Sequence, residues 1–216
     1  MPGSIKIDDG SGNYTILTNA GSLGSDKTIT IPNETATLAT TNATNLGGLV
    51  KLAEYTFSSD ADKDFDVCDG NTYFGYKLVF KDMISAVDGG SFRVGLRNDG
   101  ADVLTSTTTE RFAVAAETNS SSSIGGSASN PSGYFDITFG TGNSSNEMGH
   151  ATCELFPHDT EKLWHSSAMY ERTDGLIGYL ELNALMKNNS TVDGVRIFAS
   201  NGNISSGKIA IWGYKK

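Results

Sequence analysis

Ser91-Phe92-Arg93-Val94-Gly95-Leu96-Arg97 decides the fold. Phe92, Val94 and Leu96 alternate with Arg93, Gly95 and Arg97, the period of two of a strand with one face in a core and the other in water. The pattern recurs on both sides. YFGYKLVFK (73–81) sets Tyr76, Leu78 and Phe80 on one face, and YFDITFG (134–140) does the same with Phe135, Ile137 and Phe139. LVKLAEYTF (49–57), DKDFDV (62–67), ERFAVAAE (110–117), HATCELF (150–156), LWHSSAMYER (163–172), GLIGYLELNAL (175–185), GVRIFAS (194–200) and GKIAIWGY (207–214) read as further strands. About ten strands broken by Gly, Asn and Ser clusters predict an all-β protein, an antiparallel β-sandwich of jelly-roll-like type. Asn201-Gly202-Asn203 has the chemistry of a hairpin turn. DMISAV (82–87) and NALMKNN (183–189) read as single helical turns, and 118–133 and 141–149 as long polar loops.

Composition points the same way. Serine, threonine, asparagine and glycine supply 87 of 216 residues, and charged residues only 19%, below the roughly 25% of average domains. The Leu, Glu, Lys, Arg and Ala background of long helices is thin. Hydrophobic residues make up 38%, with 10 Phe, 8 Tyr and 2 Trp, which is apolar mass enough to exclude wholesale disorder. A net charge of −9 argues against a nucleic-acid partner, whose phosphates need Lys and Arg. No apolar run approaches the ~20 residues of a membrane span, so no membrane insertion is expected. The start, MPGSIKIDDGSGN, lacks the apolar stretch of a secretory signal, so synthesis in a cytoplasm without a signal peptide is expected. Cys68 and Cys153 allow one disulfide at most; reduced thiols are expected, with pairing left open.

The chain divides near residue 48. Residues 1–48 contain a single aromatic, Tyr14, while both Trp, both Cys and all three His lie in 49–216. The first segment is too poor in apolar mass to build a core alone. Yet SIKID (4–8), NYTILT (13–18), KTITI (27–31) and TATLAT (35–40) are short alternating runs. Such strands bury their apolar face against other chains or remain a loose arm. The first alternative makes 1–48 an attachment and oligomerisation segment whose contact residues are Tyr14, Ile16, Leu23, Ile29, Ile31 and Leu38.

A catalytic constellation is not evident. There is no glycine-rich phosphate loop and no G-x-S-x-G elbow. His150, His158 and His165 select no nucleophile among 24 serines, and no zinc-finger spacing is present. A glycosidase would need two carboxylates about 5–10 Å apart, which no motif announces. The sharpest local feature is acidic: Asp60, Asp62, Asp64, Asp66 and Asp69 in SDADKDFDVCDG. Asp60-x-Asp62-x-Asp64 opens like a calcium loop, since hard cations take several carboxylates from a short segment. Phe65 then stands where glycine is required, and Asn71 where the bidentate Glu belongs. The competing reading is a solvated strand face that protects a sheet edge. Calcium is thus the one ion for which the sequence offers donors; no other cofactor is expected. Trp164, His165, Tyr170, Trp212 and Tyr214 are the second candidate, as rings on which a sugar could stack. Their competing reading is core packing.

NAGSLGSDKTITIPNETATLAT (19–40) resembles the short module that recurs in bacteriophage tail-fibre and appendage proteins. The resemblance lies in Ala20-Gly21-Ser22-Leu23, Lys27-Thr28-Ile29-Thr30-Ile31-Pro32 and Ala36-Thr37-Leu38-Ala39. YKLVFKDMISAVDGGSFRVGLRNDG (76–100) and VRIFASNGNISSGKIAIWGYKK (195–216) look like the β-sandwich heads of such virion proteins. The resemblance covers most of the chain. It implies a non-enzymatic virion protein, a homotrimer attached to other virion proteins through 1–48, with the head domain 49–216 binding host surface glycan. A capsid decoration or head-fibre protein is the alternative, and a polysaccharide depolymerase a more distant one. The chain lacks long shaft repeats, which favours a compact appendage over a long tail fibre.

Overall fold

The computed structural model describes residues 4–8, 14–18, 48–103, 109–117, 125–128, 134–157, 161–187 and 191–216. Two compact units make up the chain, Met1–Leu46 and Gly47–Lys216. In the first, β1 (Ser4–Asp8) and β2 (Tyr14–Thr18) form an antiparallel pair, with Ser4 opposite Thr18 and Asp8 opposite Tyr14. Tyr14 and Ile16 therefore lie on β2, while Leu23, Ile29, Ile31 and Leu38 lie outside the described residues.

The second unit is all-β, and among the described residues it contains no helix. Its strands are β3 (Leu49–Asp60), β4 (Asp62–Phe65), β5 (Tyr73–Ser85), β6 (Phe92–Asn98), β7 (Ala101–Asp102), β8 (Thr109–Glu117), β9 (Gly125–Ala128), β10 (Phe135–Asp136), β11 (Gly149–Pro157), β12 (Glu161–Glu171), β13 (Ile177–Lys187), β14 (Gly194–Ala199) and β15 (Ile204–Lys215). They form two packed antiparallel sheets. The larger has eight strands in the order β3-β15-β5-β11-β12-β13-β8-β9. The smaller runs β10-β6-β14-β4, with β7 added to β6.

Alternation places the core between the sheets. Phe92, Val94 and Leu96 are each at most 1% exposed, and across β14 they face Ala199, Ile197 and Val195. The larger sheet answers with Tyr76, Leu78 and Phe80 from β5, Cys153 and Leu155 from β11, and Leu180 and Leu182 from β13. Phe135 of the small sheet stacks on Trp164 of the large one, with centroids 4.7 Å apart and planes 11° apart. Removing a side chain of this size from water contributes roughly 1.5–3 kcal/mol.

Four local expectations are corrected. DMISAV continues β5 as far as Ser85, and NALMKNN supplies the end of β13 as far as Lys187, so neither is a helical turn. Met83–Ser85 and Asn183–Lys187 pair with neighbouring strands, and that pairing outweighs weak helix propensity. The stretch 118–133 is not wholly loop, because β9 pairs with β8 inside it. A ladder is built from backbone groups, so Gly and Ser can enter it without apolar side chains. Asn201-Gly202-Asn203, with Gly202 at φ 67°, joins β14 in the small sheet to β15 in the large one. It is a crossing between sheets, and the turn residues serve either purpose.

Candidate functional site

The small sheet carries its polar chemistry on the side away from the core. Arg196 lies directly opposite Asp64 in the β14–β4 ladder. Its Nε and Nη2 donate to the two Asp64 oxygens at 2.8 and 3.2 Å, and its Nη1 donates to Asp102 at 3.0 Å. Arg97 reaches the same group, 3.1 Å from Asp64, 3.5 Å from Asp102 and 3.6 Å from Asp66, and donates to the Gly100 carbonyl at 2.7 Å. Arg97 is expected on the outward phase of β6 and is there, but the aspartates leave its side chain only 6% exposed. The Arg196 guanidinium, hydrogen-bonded to Asp64, holds that carboxyl below its ordinary range. Arg93 donates to Asp136 at 2.9 Å and lies 3.8 Å from the Tyr134 ring centroid.

This network decides what the acidic run does. Asp64 is engaged by arginine. Asp60 closes β3, accepting from the Tyr55 hydroxyl at 3.0 Å and the Ser58 amide at 2.7 Å, and Asp62 opens the edge strand β4. Asp69 caps its own turn, accepting from the Thr72 hydroxyl and the Asn71 amide, which lower its pKa. Of the calcium candidates Asp60, Asp62 and Asp64, two, Asp60 and Asp64, are thus hydrogen-bonded to protein donors. Among the described residues no group of three or more His, Cys, Asp or Glu side chains is placed to hold a metal.

The sugar-stacking candidates separate into two pairs. Trp164 and Tyr170 are 2% and 3% exposed, on the inward phase of β12. Neither ring offers a face to a ligand, so both are core residues. Trp212 and Tyr214 lie on the opposite phase of β15 and project from the outer face of the eight-stranded sheet. Tyr214 donates to Glu154 at 2.5 Å. Its ring lies nearly parallel to Phe156, 12° apart with centroids at 5.9 Å. The two rings meet across β5 because position 75 is glycine: a Cβ there would come within 2.5 Å of the Phe156 ring and 2.9 Å of the Leu155 carbonyl oxygen. Burial, then the bond to Glu154, pushes the Tyr214 phenol up to about 12.

The register extends this corner into a row across the sheet. Leu49 faces Tyr214, Tyr214 faces Gly75, Phe156 faces Leu163, and Leu163 faces Leu185. Leu163 is 54% exposed, Leu49 49% and Phe156 38%. The next row is polar: Trp212, Lys77, Glu154, His165 and Asn183 are successive cross-strand neighbours. His165 Nδ1 lies 2.9 Å from Asn183 Oδ1. The face thus carries an apolar strip beside a row of hydrogen-bonding groups. Sequence reasoning missed Phe156 and Leu163. The signal was present in the doublets Leu155-Phe156 and Leu163-Trp164, where alternation forces one large apolar residue outward.

Cys68 and Cys153 are unpaired and buried. Burial pushes the Cys68 thiol up to about 12 and the Cys153 thiol well above its ordinary value.

In comparisons with known protein families, curated proteins and solved structures, the chain matches none.

Proposed function

We propose that this chain is a non-enzymatic structural subunit of a bacteriophage particle. It is a compact fibre-type appendage, assembled as a homotrimer, attached to other virion proteins through residues 1–48 and displaying its β-sandwich head. The observation that carries the reading is the outer face of the eight-stranded sheet, where Leu49, Phe156 and Leu163 form an exposed apolar row. Monomeric proteins rarely expose contiguous apolar patches of more than a few hundred Å². The resemblance of 19–40 to appendage modules supports the same reading. Two measurements test it: the mass of the purified chain in solution, and immunogold labelling of phage particles. A monomer absent from particles would overturn it. Label on the capsid instead of the tail would make it the head-fibre or capsid-decoration form.

A second reading, adhesion of the head to host surface glycan, is favoured by the corner formed by Trp212, Tyr214 and Phe156. Aromatic rings beside Glu154 and Lys77 present the stacking surface and polar rim that a sugar requires. Binding of the chain to a glycan array, lost in Trp212→Ala, supports this reading; an array without signal removes it.

A further inference from the structure

We propose that Asn201 is a site of spontaneous covalent modification, where the folded chain converts the asparagine to aspartyl and isoaspartyl forms through a succinimide ring closed with Gly202.

The reaction needs an asparagine, a following amide nitrogen free to attack it, and room for the attack. Asn201-Gly202 is the single Asn-Gly pair in the chain. Glycine puts no side chain in the way and gives the backbone the widest freedom to close the ring. Both residues are exposed in the crossing between β14 and β15. Once hydroxide takes the Gly202 amide proton, the nitrogen bonds to Asn201 Cγ. The Cγ–Nδ2 bond breaks, and the side-chain nitrogen leaves as ammonia with a proton from water. Water then opens the ring at either carbonyl. One opening gives aspartate, and the other gives isoaspartate, whose backbone runs through Cβ and Cγ.

Folding selects this asparagine from the others. A backbone N–H that is already donating is held in its bond and away from the preceding side chain. The amide after Asn143 donates to Glu147 at 2.7 Å, and the amide after Asn98 donates to Asp193 at 2.7 Å. The amides after Asn71 and Asn146 donate to the Asp69 and Ser144 carbonyls at 3.1 and 2.9 Å. Ala184 and Ile204, which follow Asn183 and Asn203, belong to β13 and β15. The Gly202 N–H has no acceptor among the described residues.

The position gives the change a structural consequence. On one side the Ser200 amide donates to the Ser91 carbonyl at 2.8 Å, and Ser200 Oγ accepts from the Ser91 amide at 2.9 Å. On the other, the Asn203 carbonyl accepts from the Ala86 amide at 2.9 Å, and its side-chain amide donates to the Ser59 carbonyl at 2.8 Å. Isoaspartate inserts one extra backbone atom into a connection tied at both ends. Gly202 also packs on Val87, where even a Cβ would come within 2.5 Å. The crossing between the two sheets must then strain or release its ties.

The test ages the full chain at mildly alkaline pH, once native and once in denaturant. Mass spectrometry follows the peptide released by cleavage after Arg196 and Lys208. In the native chain this peptide should undergo amide-to-acid conversion within tenfold of its denatured rate, giving two separable products. Folding should slow Asn143 more than tenfold. Asn201→Gln should abolish the change in the peptide, because the longer side chain closes its ring far more slowly. The isoaspartyl protein should melt below Asn201→Asp, which carries the same charge on an ordinary backbone. Folding that slows Asn201 more than tenfold overturns the inference, as does an Asn143 that folding slows less than tenfold. An isoaspartyl form that melts with Asn201→Asp overturns the consequence for the crossing.

Discussion

Asp64→Asn isolates the chemistry of the small sheet. Asparagine keeps the volume of aspartate and removes its charge. In the wild type one carboxylate takes two hydrogen bonds from Arg196 and lies 3.1 Å from Arg97. Breaking a fully buried pair costs about 3–5 kcal/mol, while an exposed pair contributes less than about 1 kcal/mol. Asp64 is about one-third exposed and Arg97 nearly buried, which places the cost between those limits, at about 2 kcal/mol. For a unit of this size that lowers Tm by roughly 4–8 °C. The pH dependence follows from the direction of the shift. The folded carboxyl is held below its ordinary value, so its stabilisation is complete above about pH 4 and is lost as pH falls through the folded pKa. Once protonated, Asp64 is neutral like asparagine. Thermal unfolding followed by circular dichroism should show the full gap at pH 7 and a closing gap toward pH 3. Equal Tm values at pH 7, or a gap at pH 3 no smaller than at pH 7, would refute the reasoning.

Three further outcomes are expected. Phe92→Asp buries an unpaired charge at a position 1% exposed and should leave the head unfolded by circular dichroism. Trp164→Ala removes the partner of Phe135 from between the sheets; it should cost about 3–5 kcal/mol in denaturant titrations, and a loss below 1 kcal/mol would contradict its place in the core. Both thiols should resist alkylation at pH 8 and react only on unfolding, because burial raises Cys68 to about 12 and Cys153 well above its ordinary value; rapid labelling of the native chain would show that they are accessible.

The fold was legible where alternation was clean. Phe92, Val94 and Leu96 face inward as their spacing requires, and the strands of 73–85 and 149–157 follow the same rule. Candidate sites were less legible. Trp164 and Trp212 are the same residue type on strands of similar composition, yet one lies between the sheets and the other outside them. Which phase of a strand faces the partner sheet depends on how the two sheets are stacked, and no local pattern encodes that stacking.

By itself, then, the sequence determined the all-β class, the strands and the periodicity that buries every second side chain. Those follow from short-range sterics and from the transfer of apolar groups out of water. Only the tertiary structure decided what each strand pairs with. It sent Asn201–Asn203 from one sheet to the other and set Arg196 against Asp64 across 132 positions of chain. It also aligned Leu49, Tyr214, Phe156, Leu163 and Leu185 from five strands into one row. Register between distant strands is a property of the assembled ladder, and the surface this chain presents is written in that register.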